Sequence, residues 1–144
     1  MRYLVMENTP LARQVYRLML MGDTSGIRAP GQFVQVQVPG FYLRRPISVC
    51  DWDAQTLTLI VKEVGEGTHA MAAWEIGAQV DLLTGLGNGY TIMQQSQTPL
   101  LVGGGVGVPP LYGLARRLVE AGRTPRVALG FQTADDAFYL AEFA

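Results

Sequence analysis

The sequence predicts an antiparallel β domain over residues 1–96, followed over 97–144 by the first part of a parallel α/β domain. Three observations predict it. Period-two apolar runs between turn residues fill the first two-thirds of the chain. The polar, aperiodic stretch "QQSQTP" at 94–99 then breaks that texture. After it come an apolar strand, a glycine loop and an amphipathic helix, the opening of a βαβ unit.

Taken in order, "ARQVYRLMLMG" (12–22) reads as one long strand ending at the turn-rich "GDTSG". "PGQFVQVQVPG" (30–40) is bracketed by Pro-Gly, and Val34, Val36 and Val38 alternate with Gln35 and Gln37, as in a half-buried strand. "RPISVCDWD" and "QTLTLIVKEV" follow as strands, with "DWDAQ" suited to a hairpin connection. Strands at this spacing predict an antiparallel barrel or a sandwich. "GEGTHAMAAWEIG" (65–77) carries Ala70, Met71 and Trp74 at helical spacing between glycines, which predicts a short helix. "AQVDLLTGLGNGY" returns to a strand and a glycine-rich loop. "LLVGGGVGVPPLYGLARRLVEAG" (100–122) then gives the strand, loop and helix. Leu111, Leu114, Ala115 and Leu118 share one helical face, Pro109 and Pro110 suit the first turn, and Gly122 suits the C-terminal cap. "RVALGF" is the next strand. A parallel sheet needs more strands than remain, so the second unit reads as unfinished.

Composition narrows the function classes. Hydrophobic residues make up 49% of the 144 and the formal net charge is -1, which argues against nucleic acid as the main partner. With one cysteine, Cys50, and one histidine, His69, no internal disulfide and no cysteine- or histidine-built metal site is expected. No apolar run approaches the ~18 residues of a membrane span, and the N-terminus lacks a signal-peptide core. The expectation is a soluble, cytoplasmic protein.

Three segments carry candidate chemistry. "GGGVGVPP" lies between a strand and a helix, where backbone N–H groups and the helix dipole can meet a phosphate. Val108 stands where the dinucleotide fingerprint has its third glycine, so a tight turn without a ligand fits about equally well. In "GEGTHAM", Gly67 and Thr68 begin the short helix, and Thr68 can cap it; the plain reading is an ordinary helix start. In "LRRPISVCD", Arg45 can grip a phosphate in bidentate fashion and Ser48 can offer a hydroxyl to a heterocycle. Taken alone, that pair of arginines reads as solvated charge, and Arg44 has no assigned role. Cys50 reads as a small buried hydrophobe, His69 as a partly exposed first-turn residue, and Trp52 and Trp74 as core. Asp135 and Asp136 read as a helix start.

Together, "PGQFVQV", "LRRPISVCD", "LIVKEVGEGT", "LTGLGNGY" and "LLVGGGVGVPPL" resemble the ferredoxin-reductase-like flavoproteins. Within them they are most similar to the electron-transfer subunits of two-subunit, NAD-dependent dihydroorotate dehydrogenases. The resemblance implies a six-stranded Greek-key barrel that binds FAD, followed by an α/β domain that binds NAD(H). It implies that Arg45, Pro46, Ile47 and Ser48 form the family's Arg-Pro-x-Ser motif, in which Arg45 neutralises the pyrophosphate, Ile47 lies near the isoalloxazine and Ser48 bonds near flavin N5. Ile60, Val61 and Lys62 would form the next flavin strand, with lysine where the family usually has arginine. Gly67 and Thr68 would close over the pyrophosphate, and Gly103, Gly104, Gly105 and Gly107 would lie under the phosphates of NADH. No side chain is expected to act as acid, base or metal ligand. The family also carries a [2Fe–2S] centre, which needs thiolates, commonly four, that this chain lacks. The implied partner is an FMN-containing dihydroorotate dehydrogenase catalytic subunit, and the edge of the unfinished sheet favours an oligomer. Two other readings stay open: a related subunit of the sulfhydrogenase or NADH-dependent ferredoxin–NADP reductase type, and a non-catalytic flavin-binding or docking module.

Overall fold

The computed structural model describes residues 1–92 and 96–144. Six strands form a closed antiparallel barrel: β1 (Arg2–Ala12), β2 (Val15–Met21), β3 (Phe33–Val36), β4 (Arg45–Trp52), β5 (Thr56–Lys62) and β6 (Gln79–Leu86). Around the barrel the order is β1-β2-β5-β4-β3-β6, a Greek key, and the circle closes where Arg2, Tyr3 and Leu4 meet Asp81, Val80 and Gln79. Of the two architectures the strand pattern allows, the closed one is found, so no barrel strand keeps a free edge.

Alternation fills the interior. Val34, Val36 and Val38 point inward with Leu18, Leu20, Leu57, Leu59 and Leu82, all essentially without solvent contact. Each such side chain contributes roughly 1.5–3 kcal/mol by leaving water. At the β4–β5 hairpin, the Asp53 carboxylate accepts from the backbone N–H groups of Gln55 and Thr56, the Asx geometry that makes "DWDAQ" a turn.

One expected strand proves to be two. The run 12–22 is broken at Arg13 and Gln14, where Gln14 adopts a positive φ of 56°, and the chain before it is β1. β1 is hard to read in sequence because only Tyr3 and Val5 are buried along it, and two irregularities in register disturb its pairing with β2.

Between β5 and β6 lies the short helix α1 (Glu66–Ala72), which seats Met71 in the barrel core. The second unit contains β7 (Leu100–Gly104), a 3₁₀ turn (Gly105–Gly107), α2 (Val108–Glu120) and β8 (Arg126–Gly130). β7 and β8 are parallel, and Leu111, Leu114 and Leu118 of α2 pack on Leu101. Gly122, with φ of 79°, ends α2 as expected. Its N–H bonds the Val119 carbonyl while the Arg123 N–H bonds that of Leu118, the Schellman arrangement. After β8, a second 3₁₀ turn holds Asp135 and Asp136, and α3 (Leu140–Phe143) follows. Of the expected linker "QQSQTP", Gln94 and Gln95 lie outside the described residues, and Ser96 to Pro99 lie outside helices and strands.

The two units pack tightly. Val15, Cys50 and Ile60 on the barrel's outer face meet Val108, Phe138 and Tyr139 of the α/β unit in one apolar cluster. Gly113 of α2 lies directly on β4, where an added Cβ would stand 2.7 Å from the Cys50 carbonyl oxygen.

Candidate functional site: an anion cradle and an interdomain cleft

β4 and α1 build the first part of the site. The Arg45 guanidinium lies against Gly67, so that a Cβ at Gly67 would be 2.7 Å from the Arg45 Cζ. Only glycine allows the arginine to sit flush on the first turn of α1. Arg45 also stacks 5.0 Å above the Phe41 ring and donates to the Leu43 carbonyl. Two strands of the barrel hold α1 in place. The Tyr16 hydroxyl of β2 donates to the Thr68 carbonyl at 2.7 Å in a buried setting. At the other end, the Asn8 amide of β1 donates to the carbonyls of Met71, Ala72 and Trp74, where the helix ends. Met71 supplies the apolar anchor between them.

Thr68 is not the cap the sequence suggests. Gly65 takes that position, and Thr68 stands in the third helical position, where its Oγ accepts from the N–H groups of Val64 (2.9 Å) and Gly65 (3.2 Å). The Arg45 guanidinium therefore lies against the first turn of α1, whose leading N–H groups have no carbonyl partner within the helix. Ile47 and Ser48 are half-buried further along β4, and Pro46 is exposed.

The second part is a cleft of about 620 Å³ between the outer faces of β2 and β5 and the glycine loop. Ile60, Lys62 and Val64 line its barrel side, Gly104, Gly105, Val106 and Pro109 its loop side, and Phe131 and Phe138 lie beyond. Val61 turns its side chain into the barrel core and leaves only its backbone towards the outer face. The glycines divide by role. Gly103 is needed for packing, because a Cβ there would meet Leu111 Cδ1 at 2.5 Å and the Gly107 oxygen at 3.1 Å. Cβ atoms at Gly105 and Gly107 would meet nothing within 4 Å, and Gly105 takes a positive φ of 53°. Gly104 and Gly105 present backbone to the cleft.

Arg44 resolves differently from its sequence reading, whereas Cys50, His69 and Trp74 agree with theirs. Arg44 is not idle: it pairs with Asp81 at 2.9 Å and reaches the carbonyls of Gln35 and Asp81, tying β3 to β6. The Arg44 guanidinium and the Met1 amino group together hold the Asp81 carboxyl below its ordinary range, the amino group contributing more. His69 is largely exposed and pairs with Glu63 at 3.0 Å. Cys50 is fully buried, and loss of hydration, with the Asp51 charge beside it, pushes its thiol up to about 12. Asp136 pairs with Arg13 of the β1–β2 turn at 3.1 Å. Trp52 and Trp74 both pack on the barrel core, and the Arg117 guanidinium covers Trp52, 3.5 Å from its ring centre. Tyr16, Asn8 and the Asp51–Arg117 pair escaped sequence reading because their partners are distant in the chain. Among the described residues no group of three or more His, Cys, Asp or Glu could hold a metal, and no helix is long and apolar enough to cross a membrane.

The closed six-stranded barrel followed by a parallel α/β unit is the architecture of solved ferredoxin-reductase-like proteins. A solved NADH-dependent reduced ferredoxin–NADP oxidoreductase matches 99% of this chain and 52% of its own, with a TM-score of 0.87 and 31% identity. Within that class, the chain is a homologue of the electron transfer subunits of dihydroorotate dehydrogenase B (NAD(+)). It is 44% identical to that of Geobacillus sp. (strain WCH70) over 97% of this chain, and 42% identical to that of Bacillus mycoides (strain KBAB4) over 98%. The chain spans 58% of the length of each of these relatives. No protein-family model matches it.

Proposed function

We propose that this chain forms the flavin-binding barrel and the opening of the nicotinamide-binding domain of an electron-transfer subunit serving a cytoplasmic, NAD-dependent dihydroorotate dehydrogenase. Its partner in this reading is an FMN-containing catalytic subunit that handles dihydroorotate and orotate in pyrimidine synthesis. The observation that carries the reading is the seating of Arg45 on Gly67, in a chain that also has a cleft bordered by the glycine loop.

The residues fit FAD. A pyrophosphate needs converging cationic and N–H donors, and Arg45 with the first turn of α1 offers them. Pro46, Ile47 and Ser48 would border the ring system along β4, with Ile60, the Val61 backbone and Lys62 on the neighbouring strand. Thr68 keeps the α1 loop in shape by tying Val64 and Gly65 to the helix. Gly104, Gly105 and Gly107 leave room for the phosphates of NADH, and Gly103 lets α2 pack close enough to aim its first turn at them. FAD, when bound, supplies the exchange between a two-electron hydride from NADH, which leaves as NAD+, and single-electron transfer onward. The protein's share is orientation, charge neutralisation and exclusion of water, with no side chain as general acid or base. A [2Fe–2S] centre does not fit the residues present: Cys50 is the single cysteine and lies buried between the two units.

The 31% identity to the ferredoxin–NADP oxidoreductase supports a second reading, a subunit of a related flavoprotein complex. Both readings are tested by a visible spectrum of the chain with FAD, before and after anaerobic NADH. Flavin bands that bleach support electron transfer, and reoxidation by a dihydroorotate dehydrogenase catalytic subunit, rather than by ferredoxin, selects the first. Bands that persist under NADH support a docking module, and failure to retain FAD sinks the flavin reading.

A further inference from the structure

The strongest contact outside the cleft joins β4 to α2. Asp51 of β4 faces two arginines of α2, with Arg116 Nη1 at 2.7 Å and Arg117 Nη1 at 3.3 Å. Both arginines also reach the Trp52 carbonyl at 3.4 Å, and Arg117 covers the Trp52 ring. One turn earlier, Gly113 lets the helix backbone touch the Cys50 carbonyl. The same strand carries Arg45 to Ser48 at its other end, and the same helix begins at the glycine loop.

We propose that this β4–α2 lock is a positioning device, in which Gly113, Asp51 and Arg117 set the separation between the barrel's flavin strand and the glycine loop. The inference rests on the functional reading above. A helix moves as a rod, so a displacement at Gly113 reaches the loop about 7 Å away nearly undiminished. Alanine at Gly113 must open the contact with Cys50 by several tenths of an ångström, because its neighbour there is backbone and cannot swing aside. A displacement of about 1 Å is enough to cost on the order of a hundredfold in a positioned reaction. The barrel, whose own closure does not involve α2, keeps its cofactor strands unchanged.

The lock has a reporter. Cys50, the single cysteine, is sealed beneath Val108 and Tyr139, and a thiol reagent reaches it only when the second unit lifts from the barrel. The test compares the wild-type chain with Gly113→Ala, and with Asp51→Asn as a variant that adds no bulk. Three quantities are read: Cys50 labelling without cofactor, the FAD dissociation constant, and the limiting rate of flavin bleaching at saturating NADH. The expected result for both variants is labelling about tenfold faster, FAD affinity within about twofold of wild type, and bleaching slowed about tenfold or more. Bleaching at the wild-type rate overturns the proposal, whether or not labelling accelerates. So does a parallel loss of FAD affinity, which would mark a general structural role. A wild-type chain that fails to bind FAD, or binds it without bleaching, overturns the functional reading itself and the lock's role with it.

Discussion

Arg45 rests on Gly67, a contact in which the absence of one side chain lets another reach a helix's first turn. The barrel strand and the helix meet there without any residue between them. The charge that faces outward is therefore the sum of the guanidinium and the free N–H groups of α1.

Gly67→Ala should separate stability from cofactor binding. Alanine in the second helical position raises helix propensity by about 0.8–1 kcal/mol over glycine, so the chain without cofactor should be no less stable. The methyl group displaces the Arg45 fork, and FAD affinity should fall about tenfold, the loss of one charge-assisted hydrogen bond. Flavin fluorescence titration beside urea unfolding checks both halves.

Tyr16→Phe should act on stability. It removes the donor to the Thr68 carbonyl and leaves that oxygen buried without its partner, at a cost of about 1–3 kcal/mol. A lower urea midpoint with an unchanged slope is the expected outcome.

Asn8→Ala removes the only side-chain donor, among the described residues, to the last carbonyls of α1. The loss should be about 1–2 kcal/mol. Hydrogen exchange should rise first in the amides of 69–74, at the C-terminal end of the helix.

The alkaline limb of stability should carry a Cys50 signature. The folded thiol is pushed from its ordinary 9.0 up to about 12. Its neutral form therefore contributes fully below pH 9, and that contribution is lost as the pH rises from there towards 12. Tyr139, also pushed up to about 12 by burial, acts in the same direction. Cys50→Ala should flatten part of the loss, read as the change in urea midpoint between about pH 7 and about pH 10.

What was legible in the sequence was whatever a local period can encode. Val34, Val36 and Val38 announce β3, and Leu111, Leu114 and Leu118 with Gly122 announce α2 and its end. β1 announced nothing, because half of it lies exposed and Pro10 and two bulges interrupt its pairing. In the candidate site, the nearness of Arg45 and Gly67 could be expected only from resemblance to a family, since the two residues belong to different elements. The true office of Arg44 was hidden for the same reason: its partner Asp81 lies across the barrel on β6.

The seam between β1 and β6 sets an order of assembly. Its three residue pairs join the first strand to the last, so ring closure must wait until the chain has been synthesised beyond Leu86. By then β2 can already lie on β1, and β5 on β4, as neighbours joined through short connections. The final step draws the chain's two distant ends of the barrel together against the largest loss of chain entropy, the kind of non-local closure that slows folding to milliseconds or longer. On the ribosome, β4 would thus be paired before the barrel that carries it is sealed.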